Sequence, residues 1–133
     1  MRHFGIEEAN RLIPLLQETF DAIRPLTQKL QFLLSELWRR SHDGGDVLAP
    51  LARERDALLA ELKRRLEPLE ELGVEVKAVD GLVDFRAWRE GRTVYLCWKV
   101  GEPEVRHWHE LEAGFAGRER ITHPGDFTPS YPC

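Results

Sequence analysis

The sequence predicts an α+β fold made of a long antiparallel helical hairpin, a three-stranded antiparallel meander and a short C-terminal helix. Three observations lead to this prediction. Apolar residues recur at helical spacing through the first half of the chain, and the spacing changes to two after Gly73. A later segment opens on Gly101-Glu-Pro103, with proline at the first position of a helix. At 133 residues, the chain has the length of one domain.

The helical hairpin is predicted over residues 6–72. The first helix runs from about Ile6 to Arg40, a turn cluster occupies residues 41–46, and the second helix runs from about Val47 to Leu72. Pro25 lies inside the first helix, where a proline removes a backbone donor, so a kink or break is expected there. The apolar seam of the first helix contains Leu16, Phe20, Ile23, Leu30, Leu34 and Leu37.

The apolar stripes of the two helices are wider than one partner helix requires. The hairpin is therefore expected to pack on the sheet or on a second subunit. We predict a homodimer or a higher homo-oligomer that forms through the long helices.

The meander is predicted over residues 74–100, with two-residue turns at Asp80-Gly81 and Glu90-Gly91. These turns fix a register that makes one face of the sheet apolar and places complementary charges on the other. A slip of one residue mixes the two faces. The predicted cross-strand pairs are Val76 with Phe85, Phe85 with Leu96, Lys77 with Asp84, Glu75 with Arg86, and Asp84 with Cys97.

The short helix is predicted over residues 102–113, with Gly114 as its cap, and residues 119–133 are predicted to form an extended tail. In a helix, His109 and Glu112 converge because residues three apart share a face. In an extended segment, His107 and His109 share a face instead, as in a His-x-His metal pair. The helix signals favour the first arrangement.

Composition and charge argue against several classes of function. The formal net charge of −4 argues against a nucleic-acid binder, which needs a basic surface. No apolar run is long enough to span a bilayer. The N-terminus lacks the apolar core of a signal peptide, so a cytoplasmic location is expected. In that reducing compartment Cys97 and Cys133 are expected to be free thiols.

The side chains that can carry chemistry concentrate between Tyr95 and Arg118. Imidazole and carboxylate groups suit zinc, iron or manganese, and a thiolate favours zinc. The sequence contains no Cys-x-x-Cys and no His-Glu-x-x-His motif, so the spacing alone does not define a metal site. The candidate metal ligands are His109, Glu112, Cys97 and Glu110, and the candidate ligand-binding residues around them are Asp84, Glu102, Trp108 and Arg118.

These residues predict a small cytoplasmic protein that binds a metal or another ligand near Cys97, His109 and Glu112. Two other interpretations stay open. These residues can serve only to lock the sheet to the short helix, in which case the protein is a non-catalytic, oligomeric helical interaction module. Alternatively, His109 can act as a general base beside Glu112 in an enzyme. A nucleophilic role for Cys97 is disfavoured, because Asp84 on the opposite strand raises the pKa of its thiol.

The chain resembles an uncharacterised prokaryotic family, catalogued as domain of unknown function 2203, over nearly its whole length to about Ile121. The resemblance is carried by Phe4-x-x-Glu-Glu-Ala-Asn10 with Leu12-Ile-Pro14, Gly81-Leu-Val-Asp-Phe85, Tyr95-Leu-Cys-Trp98, Gly101-Glu102 and Trp108-His-Glu-Leu-Glu-Ala-Gly-Phe-Ala-Gly-Arg118. Family members usually carry Thr or Ser at the place of Gly5 and often another aromatic at the place of His107.

The resemblance implies no activity. It does imply that the family's signature includes polar positions, which fits a site better than a bare scaffold does. In this sequence the signature positions, most of them polar, are Asp84, Cys97, Trp98, Glu102, His109, Glu110, Glu112 and Arg118.

Overall fold

Two long helices and a five-stranded antiparallel sheet make up the protein in the computed structural model, which describes residues 2–129. The α+β class and the helical hairpin are confirmed. Cys133 and the last part of the predicted tail lie outside the described residues. The helices are α1 (Ile6–Arg39) and α2 (Gly45–Glu71), and the strands, which are neighbours in chain order, are β1 (Glu75–Ala78), β2 (Leu82–Arg89), β3 (Arg92–Lys99), β4 (His107–His109) and β5 (Glu119–Arg120).

The first helix is continuous through Pro25, so the expected break does not occur. Pro25 and Asp21, whose carbonyl loses its helical donor, are both exposed, and water can satisfy that carbonyl. Within the predicted seam, Leu34 is exposed and Leu33 is buried in its place. The buried faces of the two helices consist of Ala9, Leu16, Phe20, Ile23, Leu30 and Leu33 on α1 and Leu58, Leu62, Leu66 and Leu69 on α2.

The predicted register between β2 and β3 is confirmed, including the pairs Asp84 with Cys97 and Phe85 with Leu96. Between β1 and β2 the prediction is wrong by two residues, because Val76 pairs with Val83. The cause is a bulge between Val76 and Ala78 and a connection longer than the expected two-residue turn. The shift of two residues leaves Glu75 and Val76 on their predicted faces, whereas beyond the bulge Ala78 pairs with Leu82, one residue from the predicted register.

The predicted C-terminal helix is wrong, and the sheet has five strands where three were expected. His107–His109 forms β4, and only a short 3-10 turn follows at Phe115–Gly117. The reason is tertiary: without β4, one edge of β3 has no strand to pair with its backbone groups. Pairing places Tyr95 opposite His109, Leu96 opposite Trp108 and Cys97 opposite His107.

The sheet has one apolar face and one face with most of the polar side chains. The apolar face joins the helical core, where Phe20 of α1 contacts Trp98 with ring centroids 6.4 Å apart. The alternation of side chains sends Asp84 and Cys97 to the opposite face. Neither helix within residues 2–129 is long and apolar enough to cross a membrane.

Candidate metal centre

The central strands of the sheet bring Asp84, Cys97 and His109 together on the face away from the helices. Asp84 lies directly opposite Cys97, and His109 reaches the pair from β4. One ligand atom from each residue lies within 4.8 Å of the other two. The three residues are 4%, 0% and 2% exposed, respectively. A buried carboxylate, thiol and imidazole that converge in this way can hold a metal ion.

Two hydrogen bonds fix the orientation of the His109 ring. Its Nδ1 lies 2.7 Å from the backbone carbonyl oxygen of Glu110. Because a carbonyl only accepts, Nδ1 carries a proton and donates it. Nε2 then faces the cluster, 3.0 Å from Oδ1 of Asp84. Histidines that ligate metals commonly donate their other ring nitrogen to a carbonyl in this way, which sets the tautomer.

The protonation states of the cluster follow from its burial. Desolvation raises the pKa of the Asp84 carboxyl, although the neighbouring His109 works in the opposite direction. Burial and then the charge of Asp84 raise the pKa of the Cys97 thiol to about 12. Cys97 is therefore a protonated thiol at neutral pH. Both ring nitrogens of His109 already have partners, so the cluster is not a cysteine nucleophile activated by a histidine base.

An ion pair between Glu102 and Arg118 covers Cys97. The guanidinium makes two bonds to the carboxylate, at 3.1 Å and 2.9 Å, and its Nη1 lies 4.0 Å from Sγ of Cys97. The backbone N–H of Lys99 donates to Oε1 of Glu102 at 2.7 Å. Burial opposes ionisation of Glu102, but the bonds from Arg118 and Lys99 outweigh it, so its pKa lies below its usual value.

His107 stands beside this ion pair on the same face of the sheet, opposite Cys97. Its Nδ1 is buried and has no hydrogen-bond partner among residues 2–129. The Oε2 atom of Glu102, at 3.8 Å, is too distant for a hydrogen bond. Burial and then the charge of Arg118 lower the pKa of His107, so its ring is neutral at neutral pH.

Three residues predicted for the site lie elsewhere. Glu112 is exposed in the turn after β4, and the carboxylate of Glu110 bonds Nε of Arg92 at 2.7 Å. Trp108 points to the apolar face, where its ring centroid is 5.8 Å from that of Phe127. Strand alternation explains this separation, because Trp108 lies between two histidines on the other face.

Asp84 belongs to the converging group, and His107 lies directly opposite Cys97, whereas the sequence did not place either residue among the four candidate metal ligands. The sequence signal for Asp84 was its register position opposite Cys97. For His107 it was the extended alternative, which puts both histidines of the His-x-His pair on one face. The prediction of a helix over residues 102–113 hid both signals, because a helix does not place His107 and His109 on one face beside Asp84 and Cys97. His109 and the exposed Glu112 do not form the general-base pair that the enzyme interpretation requires.

The cluster does not adjoin the groove between α1 and the β1–β2 loop. That groove has a volume of about 610 Å³ and includes Phe20, Thr27, Leu34 and Val79, but none of the three clustered residues. The ligand atoms of Asp84, Cys97 and His109 lie within 4.8 Å of one another, and Nε2 of His109 contacts Oδ1 of Asp84 at 3.0 Å, so an organic molecule does not fit between them. A metal ion that replaces this hydrogen bond can be held by the same three side chains.

The fold and the cluster together define a small α+β protein with a helical hairpin on one face of its sheet and a buried Asp/Cys/His group on the other. The chain belongs to the domain of unknown function 2203 family, described as an uncharacterised conserved protein, whose profile matches residues 2–121. No similar chain was found either among curated proteins or among solved structures.

Proposed function

We propose that this protein binds one divalent metal ion through Asp84, Cys97 and His109. The observation that carries the proposal is the convergence of three buried ligand atoms within 4.8 Å of one another. The His109 ring supports it, since its Nδ1–H is already committed to a carbonyl and its Nε2 faces the cluster. When bound, such an ion supplies a structural cross-link between strands and Lewis acidity.

Charge balance favours a divalent ion. Asp84 and a Cys97 thiolate contribute two negative charges, and a neutral His109 contributes none. A divalent cation cancels both charges, which matters because an uncompensated charge is costly in a buried site. The Glu102–Arg118 pair is neutral by itself. Among divalent ions, the thiolate and imidazole favour zinc, and iron(II) accepts the same donors, whereas manganese prefers oxygen.

Metal binding is expected to release protons. Cys97 holds its proton up to a pKa of about 12 in the metal-free protein, so the ion must displace that proton to reach the thiolate. The affinity should therefore rise with pH. The proton that joins Nε2 of His109 to Oδ1 of Asp84 in the metal-free protein must leave as well, because both atoms bind the ion. The Nδ1 proton stays on the carbonyl of Glu110, since Nδ1 does not face the ion.

Titration with cobalt(II) tests the proposal. We expect one cobalt ion per chain, with the charge-transfer absorption of a cobalt–thiolate bond. Cys97→Ser should lose that band and weaken cobalt binding by more than about 100-fold. Removing a residue that only hydrogen-bonds to a metal ligand typically weakens binding by ~10–100-fold, so a larger loss indicates that Cys97 binds the ion directly. Glu112→Gln is the matched control, because Glu112 is exposed and outside the cluster. Absence of a thiolate band from the wild-type protein contradicts the proposal.

The alternative function, an oligomeric interaction module, is supported by apolar surface on α1. Leu34 and Trp38 lie four residues apart on one helix face and are 47% and 83% exposed. We expect these residues to pack against a second copy of the chain. Sedimentation should then give a dimer or larger species that Trp38→Glu dissociates. Gln28→Glu is the charge control, because Gln28 is exposed. A wild-type protein that is monomeric contradicts the interaction module.

The cytoplasmic location stays a prediction.

A further inference from the structure

We infer that His107 supplies a fourth ligand to the metal ion, giving a site closed by four side chains. This inference rests on the proposed function, because it assigns a further residue to the same ion. Three protein ligands leave a coordination position open, whereas four complete the tetrahedral arrangement of a structural zinc site. A closed site fits the depth of the cluster, whose three residues are all buried.

The backbone of β4 places His107 within reach. His107 and His109 are two residues apart in an extended strand, so both side chains point to the face that carries Cys97. His107 is also the direct cross-strand partner of Cys97. Directly opposed residues in antiparallel strands have Cβ atoms about 4.5–5.5 Å apart. One ion can bridge a thiolate and an imidazole at that separation.

His107 also has a ring nitrogen that is free to bind. Its buried Nδ1 makes no hydrogen bond to any residue in the range 2–129. A buried polar atom without a partner is costly, and once the ring has turned toward the cluster, a bound ion would give this imidazole the partner it lacks. The neutral imidazole would leave the charge balance of the site unchanged.

The neighbouring carboxylates are committed elsewhere. Glu102 accepts two bonds from Arg118 and one from the backbone N–H of Lys99. Glu110 is held by Arg92. His107 lies outside the group of three that already converges, so its ring must turn about the side-chain torsions when the ion binds. Its Nδ1 makes no hydrogen bond, and its 3.8 Å contact with Oε2 of Glu102 is not an ion pair while the ring is neutral, so the ring can turn without breaking either kind of bond.

Variants of the full chain test this assignment. His107→Ala should weaken cobalt(II) binding by more than about 10-fold in a chelator competition. It should also change the visible spectrum of the bound ion, because solvent replaces an imidazole. Free imidazole added to the His107→Ala protein should restore the wild-type spectrum. His107→Gln, which keeps a polar side chain of similar length, checks that the loss does not come from misfolding. His123→Ala is the matched control, because His123 is exposed.

The outcomes separate this inference from the proposed function. If His107→Ala binds cobalt with unchanged affinity and spectrum while Cys97→Ser loses the thiolate band, the fourth ligand is not His107 and the three-residue site stands. If the wild-type protein binds no cobalt through a thiolate, both proposals fail. A spectrum that changes in His107→Ala and returns with imidazole, measured beside wild-type protein in the same imidazole, supports the assignment.

Discussion

His109→Ala is expected to abolish specific metal binding and to lower the unfolding free energy of the metal-free protein by about 3–5 kcal/mol at neutral pH, the usual cost of breaking a buried pair. The reason is that the 3.0 Å contact with Asp84 disappears and leaves a carboxylate that is only 4% exposed. The Nδ1 bond to the carbonyl of Glu110 is lost as well. Urea denaturation of chelator-treated protein measures the stability, and cobalt titration measures the binding.

The pH dependence separates this mechanism from a simple loss of packing. The pKa of Asp84 is raised in the folded protein, chiefly by burial, so its carboxyl holds a proton more tightly folded than unfolded. This tighter proton binding stabilises the folded protein at pH values below the pKa of Asp84 in the unfolded chain. The stabilisation is lost as the pH rises through the pKa of Asp84 in the folded protein. Without His109 the pKa of Asp84 in the folded protein rises further. The loss of unfolding free energy in His109→Ala should therefore grow from acid to neutral pH. A deficit that is constant across this range, or as large in His123→Ala, contradicts the account.

Asp84→Asn is expected to lower the pKa of the Cys97 thiol below its value of about 12 and to speed its alkylation at alkaline pH. Burial is the largest cause of the raised pKa and the charge of Asp84 is the second, so removing the charge should give partial relief. The thiol should stay above 9.0, the value of an unperturbed group, because burial remains. Thiolate absorbance measured against pH follows the change.

The measurement uses a Cys133→Ser background, so that only one thiol of the sequence titrates. Glu110→Gln is the matched control, because it removes a carboxylate on β4's flank that is held by Arg92 and does not act on Cys97. A Cys97 pKa that is unchanged in Asp84→Asn, or lowered equally in Glu110→Gln, contradicts the electrostatic origin of the shift.

The parts of the fold that follow from local pattern could be predicted from the sequence. The β2–β3 register depends on the turn at Glu90-Gly91, whose positive φ angles of 52° and 79° match a two-residue hairpin turn. The β1–β2 register was missed, since Gly81 belongs to a longer connection with a bulge that dipeptide chemistry does not reveal. Glu75 and Val76 still lie on their predicted faces, because a shift of two residues conserves the face of a side chain.

The candidate site could be predicted only in part. The juxtaposition of Asp84 and Cys97 follows from the register of β2 and β3, which the alternating pattern encodes. The approach of His109 does not, because it depends on β4 pairing with β3. Pro103 and Gly114 are local helix signals, and pairing with the free edge of β3 outweighs them. The expected His109–Glu112 pair is absent for this reason, since one side chain lies on the sheet and the other in an exposed turn.

The most direct test of the metal centre is elemental analysis, combined with native mass spectrometry, of untagged protein purified without a chelator. We expect about one zinc or iron ion per chain, and loss of that ion in Cys97→Ser and His109→Ala but not in Glu112→Gln. Protein that is free of metal as purified and stays free after incubation with zinc or iron(II), or a metal content that is unchanged in Cys97→Ser and His109→Ala, would contradict the proposal.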